Sequence, residues 1–141
     1  MSTDPARALK SRTAEEPLAR RFGMEALEVG PGSAAVAMTV DETCLNQFGT
    51  AHGGAIFSLL DEAFELSCNS HGTIAVALNV NVSFVAPAVA GDRLTARSVE
   101  VTRTRRTGTY DIRVTNQRDE LVAVCQALAY RKQDPLPFLD D

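Results

Sequence analysis

The chain has 141 residues, enough for one domain with its own hydrophobic core. Its net charge of −4 argues against a general nucleic-acid binder, and no apolar run reaches the roughly 18 residues of a transmembrane helix, so we expect neither a nucleic-acid nor a membrane partner. Three cysteines without a C-x-x-C pair and only two histidines predict free thiols, no metal site and no cofactor. The N-terminus has no apolar signal-peptide segment, which together with the free thiols predicts a cytoplasmic protein.

The first part of the chain is predicted to contain a helical arm and a hairpin. Residues 1–22 are polar and contain two prolines that suit helix starts, and we assign them to the arm. Alternating apolar residues predict strands at 24–29 and 33–40, and the Gly-Pro-Gly sequence between them predicts a turn. Residues 41–51 follow as a loop that leads into the most informative segment of the chain.

A helix is predicted at 54–69, and its apolar residues cover every face. Such a helix is normally buried, yet Asp61 lies in its middle, one turn from a phenylalanine on either side. Burying a carboxylate costs several kcal/mol unless it is paired or used, and the stretch contains no Lys or Arg. Asp61 is therefore a candidate catalytic acid, and the alternative is a solvated helix edge that it shares with Glu62 and Glu65.

The start of this helix offers backbone donors. His52, Gly53 and Gly54 leave free N–H groups at a helix N-terminus, where partial positive charge gathers. Two adjacent glycines allow a ligand to approach the backbone closely. This arrangement suits an anion, or an oxyanion that develops during a reaction.

The spacing of donor and acid predicts a second copy of the chain. Gly53 and Asp61 are eight positions apart, which is about 12 Å along a helix axis. A reacting carbonyl needs a donor within about 3 Å of its oxygen and an attacking group within about 3.5 Å of its carbon. One helix cannot supply both, but two copies laid antiparallel can, which predicts a symmetric homodimer with two composite sites.

Four strands are predicted after the helix, at 76–84, 93–102, 109–115 and 120–131. In the second of these strands the apolar residues change from even-numbered to odd-numbered positions after Ala96, which predicts a bulge near Arg97. Strands joined by such short turns pair antiparallel, so we predict an α+β fold, with a curved antiparallel sheet of five or six strands wrapped around one long helix. We place this domain at 23–132 and a loosely ordered tail at 133–141.

One motif joins the loop, the helix and the segment after it. It consists of N-x(6)-G-G with His before the glycines, then Asp seven residues after the second glycine, then N-S-x-G. It resembles the motif of the hot-dog-fold acyl-CoA thioesterases, in particular the PaaI-type branch of phenylacetic acid degradation, and the resemblance covers residues 20–131. The matching residues are Asn46, His52, Gly53, Gly54, Asp61, Asn69, Ser70 and Gly72, and the match continues at 83–87 and 108–111.

The resemblance implies a thioester hydrolase of the hot-dog fold that cleaves small aryl- or medium-chain acyl-CoA. It also implies a homodimer, commonly paired again into a homotetramer, with active sites at the subunit interface. Asp61 would be the nucleophile or general base and Gly53 the donor to the carbonyl, while Asn46 would hold the site or orient the acid. His52 is either catalytic or a capping residue. The resemblance also implies a position that holds a Ser or Thr in some relatives, where it positions the water, and that position corresponds to Ala77 in this chain.

The acyl-CoA substrate that the resemblance implies has an acyl group and phosphates, and several other residues are candidates to bind them. Gly54 adjoins the carbonyl donor, and Phe57 and Phe64 are candidates for an acyl slot, with plain core packing as the alternative. Residues 92–118 hold seven arginines and three acidic residues, a local balance of +4 in an acidic chain. Arginine forks suit the phosphates of CoA, and the alternative is a solvated charged turn. The candidates for the phosphates are Arg103, Arg105 and Arg106.

Three alternatives stay open at this point. A Cys–His nucleophile would need Cys44 or Cys68 near a histidine, and no family signature supports it. A hot-dog hydratase or dehydratase would use His and an acid in a spacing such as D-x(4)-H, which the sequence lacks. A non-catalytic acyl-CoA-binding or regulatory protein on the same fold is the third, because a fold does not fix a function.

Overall fold

The computed structural model describes residues 4–139, so the outermost residues of the predicted arm and tail, 1–3 and 140–141, lie outside the described part. Its helices are α1 (Pro5–Arg12), α2 (Pro17–Arg21) and α3 (Gly53–Asn69), with 3-10 turns at Thr13–Glu15 and Glu42–Cys44. Its strands are β1 (Glu25–Gly30), β2 (Ser33–Thr39), β3 (Thr73–Phe84), β4 (Arg93–Arg103), β5 (Thr107–Thr115) and β6 (Leu121–Pro135). None of the helices between residues 4 and 139 has the length and apolar character that a membrane crossing requires.

The strands form one antiparallel sheet in the order β1-β2-β4-β5-β6-β3. The long helix α3 contacts every strand, so the sheet curves around it. This arrangement confirms the predicted α+β hot-dog fold, and the strand count lies at the upper end of the predicted range. The strands β1 and β3 form the two edges of the sheet.

The core lies between α3 and the inner face of the sheet. Leu59, Leu60 and Ala63 of α3 have no exposed surface, as the apolar faces of the helix predict. Phe64 meets the ring of Tyr110 on β5 edge-on, with the ring centroids 5.6 Å apart and the planes at 63°. This aromatic pair fixes the middle of the helix against the sheet.

The N-S-x-G residues of the motif hold the segment after α3. Asn69 accepts a hydrogen bond from the Ala75 N–H at 2.8 Å and donates one to the Ala75 carbonyl at 3.1 Å, which ties the start of β3 to the helix. The Ser70 hydroxyl accepts a bond of 2.8 Å from the Gly32 N–H in the β1–β2 turn. Gly72 has a φ of +96°, a left-handed value that favours glycine. These motif residues therefore position β3 and have a structural role.

The edge strand β3 presents apolar side chains to its surroundings. Its alternation predicts a half-buried strand, but Val76, Leu78 and Phe84 are exposed, as is Val85 just beyond its end. We call these four residues the apolar edge. The cause of their exposure is the position of β3, which pairs only with β6 among the strands of the described chain. An open apolar edge is an association surface unless charge or another element protects it.

The predicted bulge near Arg97 is wrong. The pairing of β2 with β4 runs through Arg97 without a shift, and the irregularity falls between Glu100 and Thr102 in the pairing of β4 with β5. The apolar phase slips for another reason, since Val99 and Val101 are exposed residues and do not belong to the core face. An exposed valine and a bulge give the same pattern in the sequence.

Both ends of the described chain pack against the domain. The helix α1 contacts β1 and α3 and buries Leu9. The predicted loosely ordered tail is instead packed, because β6 extends to Pro135 and Leu136 is buried. The guanidinium of Arg12 lies 4.3 Å from the ring centroid of Phe138, so the segment around Phe138 packs against α1.

Candidate active site

The start of α3 is capped by His52. Its φ of −64° and ψ of 138° are extended, and its Nδ1 accepts a hydrogen bond of 2.8 Å from the Gly54 N–H. A neutral ring with Nδ1 as acceptor carries its proton on Nε2. A Cβ at Gly54 would lie 3.1 Å from that Nδ1, so the second glycine makes room for the cap. The structure therefore places His52 as the capping residue of the helix.

The His52 cap uses the N–H of Gly54 and leaves the N–H of Gly53 available. Within residues 4–139, nothing accepts a hydrogen bond from the Gly53 N–H, which lies at the positive end of the helix dipole. Gly53 adjoins a cavity of about 400 Å³. Its lining consists of Asn46, Ala51, Gly53, Ile56, Phe84, Val85, Ala86 and Pro87. An oxyanion bound in this cavity would find a free backbone donor.

Asn46 organises the loop in front of the helix. Its Oδ1 accepts hydrogen bonds from the N–H groups of Phe48 at 2.9 Å and Thr50 at 3.1 Å. Its Nδ2 donates to the Thr50 hydroxyl at 2.9 Å. Since both ends of the amide are used inside the loop, Asn46 fixes the wall of the Gly53 cavity and does not orient Asp61 of its own chain.

Asp61 is half-buried and lies two turns further along α3. Among residues 4–139, no group forms a hydrogen bond or ion pair with its carboxylate. Burial, and then the negative charge of Glu16, raise the pKa of Asp61 above its usual value. Asp61 adjoins a second cavity, of about 200 Å³. Its lining consists of Asp61, Phe64, Glu65, Cys68, Ala75, Val76 and Ala77.

The two cavities lie toward opposite ends of the edge strand β3. Phe84 ends the strand, and its ring comes to 3.4 Å from the position that a Cβ of Gly53 would take. Val76 and Ala77, near the start of the strand, line the cavity of Asp61. The structure therefore does not bring the two candidate groups together within one chain.

The two phenylalanines suggested for an acyl slot have different surroundings. Phe64 is only 2% exposed and lines the Asp61 cavity from the core side. Phe57 is 37% exposed and lines neither of the two cavities. Ala77 adjoins Asp61 through the same cavity and offers no polar side-chain group there.

The three arginines lie in and beside the turn between β4 and β5, and all three are exposed. No carboxylate of the described chain forms an ion pair with Arg103, Arg105 or Arg106. The strand register places this turn at the Asp61 end of the sheet, because Thr107 pairs with Tyr130 and the next residue of β6 pairs with Ala75. Arg106 donates a hydrogen bond of 3.2 Å to the Tyr130 hydroxyl. Cationic side chains without a carboxylate partner in the described chain thus lie at the end of the sheet where Asp61 does.

Glu62 does not belong to a solvated helix edge, the alternative considered for this stretch of the sequence. It is only 6% exposed, and the structure brings its carboxylate together with those of Glu65 and Glu16. Burial, contact with Glu16 and the charges of nearby acids raise the pKa of Glu62 to about 10. Burial and contact with Glu16 raise the pKa of Glu65 to about 8. Glu16 belongs to the arm, and no local pattern in the sequence connects it to α3.

Comparison with known proteins gives consistent results at the levels of family, sequence and structure. The family model of the Thioesterase superfamily matches residues 48–123, a segment that includes His52, Gly53 and Asp61. The chain is 39% identical over 113 residues to the acyl-coenzyme A thioesterase PaaI of Escherichia coli (strain K12), which covers 80% of this chain and 81% of that protein.

Two solved structures extend the comparison. The E. coli PaaI protein from the phenylacetic acid degradation operon superposes with a TM-score of 0.89 at 34% identity, covering 95% of this chain and 99% of that one. The smu.793 protein of Streptococcus mutans UA159, solved bound to acetyl CoA, superposes with a TM-score of 0.77 at 29% identity. That match covers 80% of this chain and 91% of the other.

Proposed function

The chain belongs to the thioesterase superfamily, among the hot-dog-fold acyl-CoA thioesterases of the PaaI type, and from this membership we propose that it hydrolyses acyl-CoA thioesters to the free acid and CoA. The observation that carries the proposal is a free backbone donor and an unpaired, half-buried acid on one helix, each beside its own cavity. Both groups are needed at one carbonyl, so each site combines Gly53 of one subunit with the partner's Asp61.

The apolar edge of β3 supports this composite site. Two β3 strands that pair antiparallel about a twofold axis would cover the exposed side chains of Val76, Leu78, Phe84 and Val85. In each subunit the end of β3 lies beside Gly53. The same twofold operation places this end of β3 near the start of β3 in the other subunit. The partner's Asp61 then approaches the Gly53 cavity, and the dimer has two equivalent sites.

The chemistry follows from the groups at such a site. The Gly53 N–H, aided by the helix dipole, polarises the thioester carbonyl and binds the oxyanion that forms on attack. The partner's Asp61 either attacks the carbonyl carbon itself or takes a proton from an attacking water. On the water route, collapse of the tetrahedral intermediate breaks the C–S bond and the CoA thiolate takes up the proton that Asp61 removed from the water. On the direct route, collapse expels the CoA thiolate and leaves an anhydride between the acyl group and Asp61. Water then hydrolyses this anhydride, which frees the acid, regenerates the carboxylate and supplies the proton for the thiolate. The raised pKa of Asp61 makes it a stronger base than an exposed aspartate.

The substrate class rests on the shapes and charges around the two groups. The cavity of about 200 Å³ beside Asp61, with Phe64 in its wall, suits a small aryl or medium-chain acyl group. Arg103, Arg105 and Arg106 are exposed, free of ion pairs within the described chain and suited to the phosphates of CoA. The relative solved with acetyl CoA supports a CoA ligand. A dimer of dimers, a cytoplasmic location and a role in phenylacetate degradation stay predictions.

A thiol-release assay tests the proposed function. We expect the purified chain to release free thiol from benzoyl-, phenylacetyl- and medium-chain acyl-CoA, with saturation kinetics and with kcat/KM differing between the acyl groups. Calorimetric titration with the same compounds measures binding independently. If the chain binds acyl-CoA but releases no thiol from any member of the panel, it is a binding or regulatory protein on this fold, and the proposed hydrolysis is wrong.

A further inference from the structure

Three carboxylates meet between the arm and the central helix, away from the Gly53 cavity. Glu62 and Glu65 lie one turn apart on α3, and Glu16 precedes α2. One carboxylate oxygen from each of the three lies within 4.8 Å of the others. We call Glu16, Glu62 and Glu65 the carboxylate cluster. Like charges this close repel unless protons or a cation lie between them.

The buried member of the cluster has an unsatisfied oxygen. Glu62 is only 6% exposed, and its Oε2 is buried without a hydrogen-bond partner in the described part of the chain. A buried carboxylate oxygen without a partner is costly, because its hydration is lost and nothing replaces it. The same carboxylate supplies an oxygen to the carboxylate cluster, so the cluster contains a buried and incompletely satisfied ligand group.

No cationic side chain fills this role between residues 4 and 139. None of the ion pairs within 4.0 Å in that range involves a member of the carboxylate cluster. Arg12 is the nearby candidate, since it lines the same cavity as Glu16 and Glu65. Its guanidinium stacks over the ring of Phe138 instead.

The donor set and its surroundings suit one class of cation. Three carboxylates offer up to about six oxygens, and Ca²⁺ takes about six to eight, often with water among them. The adjoining cavity, about 280 Å³ in volume and lined in part by Glu16 and Glu65, has room for such waters.

We propose that the carboxylate cluster binds a hard divalent cation of the Ca²⁺ class, which joins the N-terminal arm to the central helix. The sequence predicted no metal site, because that prediction considered histidine and cysteine ligands and Glu16 is distant from Glu62 in the chain. Glu65 also lines the Asp61 cavity, so the carboxylate cluster adjoins the proposed catalytic acid. The test of the cation site measures binding and thermal stability and does not depend on activity.

Calorimetric titration and thermal unfolding of the full chain test the site. After treatment with a chelator, CaCl₂, MgCl₂ and MnCl₂ are added separately at constant ionic strength. We expect at least one cation to bind with a dissociation constant on the order of 10⁻⁴ M. At about 100 times that concentration the melting temperature should rise by roughly 5 °C or more. Glu62→Gln should weaken binding at least tenfold and abolish the thermal shift.

Glu28→Gln is the matched control, because it removes one acidic charge from an exposed position on β1 and should leave the cation response unchanged. Glu65→Gln, on the exposed side of the cluster, serves the same purpose as Glu62→Gln if the latter does not fold. No binding of any of the three cations to the wild-type chain would overturn the proposal, as would a response that survives both cluster substitutions. Either result would mean that protons shared among the three carboxylates, and not a bound cation, relieve the repulsion within the cluster.

Discussion

Replacing Asp61 by Asn should lower kcat for acyl-CoA hydrolysis by about 10²- to 10⁴-fold, the usual contribution of a catalytic base. Asn has the same shape but neither attacks a carbonyl nor accepts the proton of a water. The fold should persist, since the Asp61 carboxylate makes no hydrogen bond or ion pair within residues 4–139. The removal of a half-buried charge should leave the melting temperature equal or higher. Thiol release and thermal unfolding measure the two quantities.

The control for this substitution is Asp111→Asn, which makes the same chemical change at an exposed position on β5. We expect it to keep wild-type kcat. Acyl-CoA should still bind Asp61→Asn with similar affinity, because the acid acts on the reacting carbon and not on the CoA phosphates. If Asp61→Asn hydrolysed the preferred substrate at the wild-type rate, Asp61 would be neither base nor nucleophile.

Gly53→Pro should lower kcat by about 10²- to 10³-fold, the usual effect of losing one oxyanion donor. Proline removes the N–H that no residue of the described chain uses, and it is tolerated at the first position of a helix. The preceding residue also permits it, since His52 has a φ of −64° and a ψ of 138°, values that suit a residue before proline. Steady-state thiol release measures the loss, and circular dichroism checks that the helix is kept.

Gly53→Ala separates the lost donor from the added bulk. It keeps the N–H, and its Cβ would lie 3.4 Å from the Phe84 ring, an ordinary van der Waals contact. We therefore expect Gly53→Ala to retain most of the wild-type activity. A folded proline variant with wild-type kcat would show that the carbonyl takes its hydrogen bond from another group.

The elements of the fold could be predicted because each has a local signature. The helix was visible as a run of apolar residues behind two glycines, and the strands as alternating patterns. The errors arose where one local pattern has two causes. Val99 and Val101 are apolar yet exposed, and the resulting change of apolar phase wrongly predicts a bulge near Arg97. Leu136, at the end of a proline-containing segment, is buried by the packing of that segment onto the arm.

The two central site residues could be proposed for the same local reason. Asp61 contradicts the apolar helix around it, and Gly53 begins that helix beside a second glycine. The carboxylate cluster had no such signature, because Glu16 and Glu62 come together only through the packing of the arm on α3. In the sequence, Glu62 is one more acid on an apolar helix, a pattern that a solvated helix edge explains equally well. Contacts between distant segments need the fold.

Subunit complementation tests the composite site most directly. We expect Asp61→Asn and Gly53→Pro each to be nearly inactive. The two proteins are mixed in equal amounts under conditions that exchange subunits, and native mass spectrometry confirms that mixed dimers form. A mixed dimer has one site with both groups intact and one with neither, and about half of the dimers are mixed. Activity should therefore return to about a quarter of the wild-type value. If mixed dimers form and activity stays at the level of the separate variants, Gly53 and Asp61 do not act across the subunit interface.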